Sequence, residues 1–122
     1  MTIVNGNFTD GLTGWTTITT PCGSWLQSIS PEPPNVHIKA QACAISIYQD
    51  FTIDNTILTF DWTYQEQWTY SLGGCDAHSS WSLTRLSDSA VLKGSNLTGS
   101  ECNTTNSGMV IEDVSAYIGT NV

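Results

Sequence analysis

The sequence predicts an all-β fold, a two-layer antiparallel sandwich built as one domain over residues 1–122. Three observations predict it. Helical periodicity is hard to find anywhere in the chain. Short runs rich in Val, Ile, Thr, Trp and Tyr recur between clusters of Gly, Pro, Asn and Ser, the pattern of many short strands. Finally, residues 57–65 alternate strictly: Leu58, Phe60, Trp62 and Tyr64 fall on one face, and Thr59, Asp61, Thr63 and Gln65 on the other. A side-chain period of two with one apolar set marks a strand with one buried face. Trp81 and Leu83 repeat the alternation more briefly.

Taken in order, strands are expected at 1–5, 14–20, 24–30, 35–41, 44–53, 57–65, 79–87, 90–94 and 109–114. Between them, Ser30-Pro31-Glu32-Pro33-Pro34-Asn35 reads as a loop, because proline has no N–H to give to a ladder. Residues 71–76, around Gly73 and Gly74, read as a second loop, and Gly94 to Gly108 as a third. No linker or internal repeat divides the chain.

Composition narrows the partners. Apolar residues make up 39% of the chain, as in a globular protein, but charged residues only 11%, against roughly 25% in an average domain. Thr, Ser, Asn and Gly cover the surface instead, as is common in secreted β proteins. Three basic residues face eleven acidic ones, a net charge of −8. Such a chain repels phosphate backbones and anionic lipid headgroups, which argues against nucleic acid and membrane surfaces as partners. No apolar run approaches membrane-spanning length, and no signal peptide pattern opens the chain.

The four cysteines, Cys22, Cys43, Cys75 and Cys102, contain no CxxC pair, and His37 and His78 stand apart from them. Zinc would want closer ligand pairs, so two disulfides are the better reading. Of three connectivities, Cys22–Cys43 with Cys75–Cys102 is favoured, since each pair brackets a loop or strand pair. Sequons at Asn7, Asn96 and Asn103 point, with the cysteines, to an extracellular glycoprotein. A chain rich in Thr and Asn also generates sequons by chance.

Three stretches carry more than generic β character. Residues 3–15 (Ile-Val-Asn-Gly-Asn-Phe-Thr-Asp-Gly-Leu-Thr-Gly-Trp) open the chain. Ser46-Ile47-Tyr48-Gln49-Asp50-Phe51-Thr52 follows, then Ile57-Leu58-Thr59-Phe60-Asp61-Trp62. Residues 113–122 (Asp-Val-Ser-Ala-Tyr-Ile-Gly-Thr-Asn-Val) close it. In this order they resemble the galactose-binding-like β-jelly rolls, a group that includes carbohydrate-binding modules of the family 4/9 type. The likeness spreads over nearly the whole chain. It implies a jelly roll, carbohydrate as ligand, and a structural calcium held near the first strand, where Asn7 and Asp10 match. Thr9 stands where the family often has an acid, and the last-strand Asp has no counterpart, so only half of that site is matched. The pattern's final strands also lie beyond Val122. Either the chain continues, or a neighbouring subunit supplies them, which would make copies of the chain a homo-oligomer or filament.

Beside the resemblance, the residues have their own reading. Trp15 is a large apolar anchor at the start of a strand, expected in the core. Sugar recognition wants aromatic faces for pyranose rings, with amides and carboxylates for the hydroxyls. Gln65, Glu66, Gln67, Trp68 and Tyr70 lie past the alternating stripe and beside the Gly-rich loop, and Trp25 lies beside the Pro-rich one. Trp68 and Tyr70 either form a platform or pack beneath that loop. The polar face of Asp61, Thr63 and Gln65 reads as solvated surface. No nucleophile elbow, HExxH or phosphate cradle is present, and carboxylate pairs are expected in so acidic a chain. The chain is therefore read as a non-catalytic, extracellular, lectin-like module. The other reading is a self-assembling subunit of a filament, sheath or surface layer, with strands shared between neighbours.

Overall fold

The computed structural model describes residues 3–20, 27–40, 44–65, 79–97 and 105–122. Every regular element among them is a strand apart from one 3-10 turn at Ser115–Tyr117. The strands are β1 (Thr16–Thr19), β2 (Gln27–Glu32), β3 (Asn35–Ala40), β4 (Ile45–Tyr48), β5 (Ile57–Gln65), β6 (Ser80–Thr84), β7 (Val91–Asn96) and β8 (Thr105–Asp113). The protein is thus all-β, and its strands pair as four antiparallel ladders: β1 with β4, β2 with β3, β5 with β8 and β6 with β7. The chain divides into two compact units, Thr2–Phe51 and Thr52–Val122.

In the second unit, β5 and β8 run opposite each other for nine pairs, from Ile57↔Asp113 to Gln65↔Thr105. Leu58 is buried and Phe60, Trp62 and Tyr64 are half-buried, while Thr59, Asp61 and Thr63 are exposed, the alternation expected of a strand with one covered face. That face meets the β6–β7 ladder through side chains. The Phe60 and Trp81 rings contact edge to face at 5.5 Å, and Lys93 Nζ lies 3.3 Å from Glu112 Oε2. Among the described residues of this unit, Leu58, Leu83, Val110, Ile53, Val114 and Val122 are the buried apolar ones.

Three expected elements are corrected. Of the strand expected at 1–5, the described residues 3–5 form none: residues 4–7 are turns, because Asn5 (φ 53°) and Phe8 (φ 56°) adopt the left-handed region and break extension. The Pro-rich segment is not a loop. β2 continues through Pro31 and Glu32, and only Pro33–Pro34 turns, with a cis peptide between them. Alternate residues of an antiparallel strand direct their N–H away from the partner, so a proline at such a position removes no ladder bond.

Nor is Gly94–Gly108 one loop, since Gly94 lies inside β7 and Gly108 inside β8. Both glycines make room. A Cβ on Gly94 would lie 2.7 Å from the Trp81 carbonyl oxygen, and one on Gly108 3.1 Å from the Trp62 ring that covers it across the ladder. Glycine inside a strand marks such close approaches.

Several strands are also shorter than expected. β4 stops at Tyr48, and beyond it Thr52 makes a single bridge to Asn121. β6 stops at Thr84, before the turn at residues 86–88. The loop expected at 71–76 lies outside the described residues.

Candidate functional site

Among the described residues, one place in each unit gathers several polar groups. In the first unit the turn at residues 4–14 is organised by Asn5. Its side-chain amide donates to Gly11 O at 2.9 Å and Thr13 O at 3.2 Å, and its Oδ1 accepts from Asp10 N–H at 3.0 Å. The Asn5 carbonyl accepts from Phe8 N–H and from the Trp15 indole, both at 3.1 Å. Trp15 stacks on the buried Phe8 with ring centroids 5.2 Å apart, but is itself only half-buried and stops one residue short of β1. Gln49, just past β4, clamps the turn from the other side. Its Oε1 accepts from Val4 N–H at 2.6 Å, and its Nε2 donates to Val4 O and Gly14 O, both at 2.9 Å.

This turn does not fit calcium. Six to eight oxygens are needed, whereas Asn7 Oδ1 is turned onto the Thr9 hydroxyl and N–H. The Asn5 amide already fills the space between the Gly11 and Thr13 carbonyls. In this turn Asp10 alone offers a carboxylate to solvent.

The second place is a shallow depression lined by Arg85, Leu86, Ser87, Thr120 and Asn121. The turn between β6 and β7 builds one wall. Arg85 N–H donates to Ala90 O at 2.8 Å, Ser89 N–H to Arg85 O at 2.9 Å, and Ser89 has φ 58°. The Arg85 guanidinium closes on Asp88 with two bonds, Nε to Oδ1 at 2.8 Å and Nη2 to Oδ2 at 2.7 Å. The segment at residues 119–121 builds the other wall. Gly119 N–H donates to Ile53 O, Ile53 N–H to Thr120 O and Leu86 N–H to Asn121 O. The Thr52 hydroxyl donates to Asn121 Oδ1 at 2.6 Å, which orients the amide. Both walls are therefore fixed by main-chain bonds before any ligand arrives.

Electrostatically the depression is balanced. The hydrogen bonds to Arg85, with a further one from Ala90 N–H, hold Asp88 below the usual carboxylate range, and Asp88 in turn raises the guanidinium. Asp113, beyond β8, is likewise lowered, by the Ser115 hydroxyl and N–H and by the charge of Lys93. Carboxylates depressed in the folded state contribute stability above their unfolded pKa of about 3.9 and lose it as pH falls through the lower folded value. Thermal melts should therefore fall on acidification below about pH 4, and Asp88→Asn should flatten part of that fall. An Asp88→Asn melt with the same acid slope as the parent would show the pair is silent.

Most residues singled out from sequence for sugar binding, Trp25, Glu66, Gln67, Trp68 and Tyr70, lie outside the described residues. So do Cys22, Cys43, Cys75, Cys102 and Asn103. Gln65 is the last residue of β5, opposite Thr105. Asp61 and Thr63 are exposed. Of the described sequon asparagines, Asn7 stands exposed in the N-terminal turn, and Asn96 stands exposed at the end of β7, opposite Ser80. Sequence reasoning missed Asn5, Gln49, Arg85 and Asn121. Arg85 carried a signal, being the lone arginine with an aspartate three residues on, inside a turn. Asn121 carried none, because its partners are far away in the chain.

No family model, no curated protein and no solved structure matches the chain.

Proposed function

We propose that this chain is a non-catalytic, lectin-like module that binds neutral carbohydrate, and that the Arg85–Asn121 depression contributes to the site. The supporting observation is a lining rich in hydrogen-bonding groups yet without net charge. Arg85 and Asp88 cancel, and two of the five guanidinium N–H groups are spent on Asp88, leaving three. The Asn121 Nδ2 has no partner among the described residues. Ser87 and Thr120 add hydroxyls, and Leu86, 51% exposed, offers an apolar contact. Donors, acceptors and one apolar contact suit a pyranose, which has hydroxyls at its rim and C–H groups on its faces. A phosphate or uronate would meet the overall charge of −8. Preformed walls cost little to organise on binding.

The test is titration of the full chain with neutral oligosaccharides (cellotetraose, xylotetraose, mannotetraose and N-acetyllactosamine), followed by amide NMR shifts. Saturable shifts at Leu86, Ser87, Thr120 and Asn121 are expected with at least one of them. Asn121→Asp keeps the acceptor for Thr52 and replaces the Nδ2 donors with a charged acceptor, so affinity for a neutral sugar should drop about tenfold, the effect of one or two lost hydrogen bonds. Absence of saturable shifts with all four sugars would sink the proposal.

A second reading, a subunit that shares strands with its neighbours, is favoured by the ladders themselves. Each has two strands, so each strand keeps one edge without a ladder partner among the described residues. Native size by light scattering separates the readings: a monomer fits the binding module, and ordered polymers fit strand sharing.

A further inference from the structure

The β5–β8 ladder turns the face bearing Phe60 and Val110 toward β6–β7, and its outer face, otherwise built of Thr59, Asp61, Thr63, Ser107 and Thr105, carries three exposed apolar side chains. On the outer face, Ile57, Met109 and Ile111 are 45%, 58% and 64% exposed. They lie close together, because Ile57 pairs with Asp113, Thr59 with Ile111 and Asp61 with Met109. Contiguous exposed apolar residues rimmed by polar ones mark interaction sites. The charged residues of this face are Asp61, beside Met109, and Asp113, opposite Ile57; no Lys or Arg occupies it. The two basic residues of this unit are engaged elsewhere, Lys93 with Glu112 on the covered face and Arg85 with Asp88.

Charge then selects the occupant. Two copies docked back to back would bring four carboxylates together around the apolar centre, inside a pair carrying twice the net charge of −8. An anionic membrane would be repelled for the same reason. A polypeptide segment with Lys or Arg flanking apolar side chains would satisfy both the carboxylates and the apolar centre. The ladder's nine pairs give it a track of about 30 Å. Met109 at the centre is unbranched and adapts to partners of differing shape.

The geometry points to the outer face of β5–β8 as a docking surface for a cationic amphipathic segment of another protein, separate from the carbohydrate reading. The probe is a synthetic amphipathic helix of leucine and lysine, set against a leucine–glutamate counterpart of equal length. The full chain should bind the lysine peptide saturably, with amide shifts centred on residues 57–63 and 107–113, and should ignore the glutamate peptide. Binding should weaken at least tenfold in Asp61→Asn combined with Ile111→Ser, and as salt rises from about 0.05 to about 0.5 M. Asp50→Asn, an exposed acid of the other unit, should leave affinity unchanged. The inference is overturned if the lysine peptide gives no saturable shifts on this face, if both peptides bind alike, or if the paired variant binds as the parent does. It is also overturned if sedimentation shows self-association that Ile111→Ser abolishes, since a second copy would then be the occupant.

Discussion

Replacing Ile53 with alanine is expected to destabilise the protein by about 3 kcal/mol, within the range of about 2–5 for deleting a buried isoleucine side chain. Ile53 is fully buried, and its backbone is pinned on both sides, N–H to Thr120 O at 3.0 Å and carbonyl to Gly119 N–H at 2.8 Å. The main chain is thus held in place and cannot readily collapse onto the void left by the lost atoms, the circumstance in which cavity costs run high. A melting temperature lower by roughly 15 °C would be the corresponding readout for a unit of this size. Ile53→Val, which removes one methylene, should cost about 1 kcal/mol. Should Ile53→Ala melt within about 3 °C of the parent, the residue would not be part of a close-packed core. Because Thr52, Thr120 and Asn121 flank this anchor, the variant should also loosen the depression and weaken any sugar shifts seen there.

Asn5→Ala carries the second large effect, about 2–4 kcal/mol. Two components add. The side chain makes three hydrogen bonds, and its loss removes a part-buried one to the Gly11 carbonyl and two exposed ones, to the Thr13 carbonyl and from the Asp10 N–H. The residue also sits at φ 53°, a conformation asparagine tolerates and alanine does not. Asn5→Gly keeps the conformation and loses only the bonds, so it should be milder than alanine. Asn5→Asp replaces the two donated hydrogens with lone pairs facing two carbonyls, and should be at least as harmful as alanine. The Trp15 indole N–H resonance reports the result, because that group donates to the Asn5 carbonyl. An alanine variant that leaves this resonance and the melting temperature in place would mean Gln49 alone holds the turn.

The placement of Asn5 also shows where local reasoning ran out. Asn5-Gly6 announced a turn, yet residues 1–5 read as a strand from Ile3 and Val4. What prevailed was the Asn5 amide donating to the Gly11 and Thr13 carbonyls, six and eight residues on, together with the distant Gln49 clamping Val4 and Gly14. Pro31 shows the reverse error: proline is a breaker in general, but harmless at a strand position whose N–H would face away from the ladder.

By itself the sequence determined the β character, the nine residues of β5 and the side of β5 that is buried, because a side-chain period of two is a property of neighbouring residues. Its acidity and scarcity of charge likewise follow from composition alone. Only the tertiary structure decided that Gly94 lies in a strand against the Trp81 main-chain carbonyl and Gly108 in one beneath the Trp62 ring. It alone closed Arg85 and Asn121 around one depression, and left Ile57, Met109 and Ile111 uncovered on the same sheet. Each of these is a contact between residues distant in the chain, and such contacts follow from ladder register, which no local pattern of residues encodes.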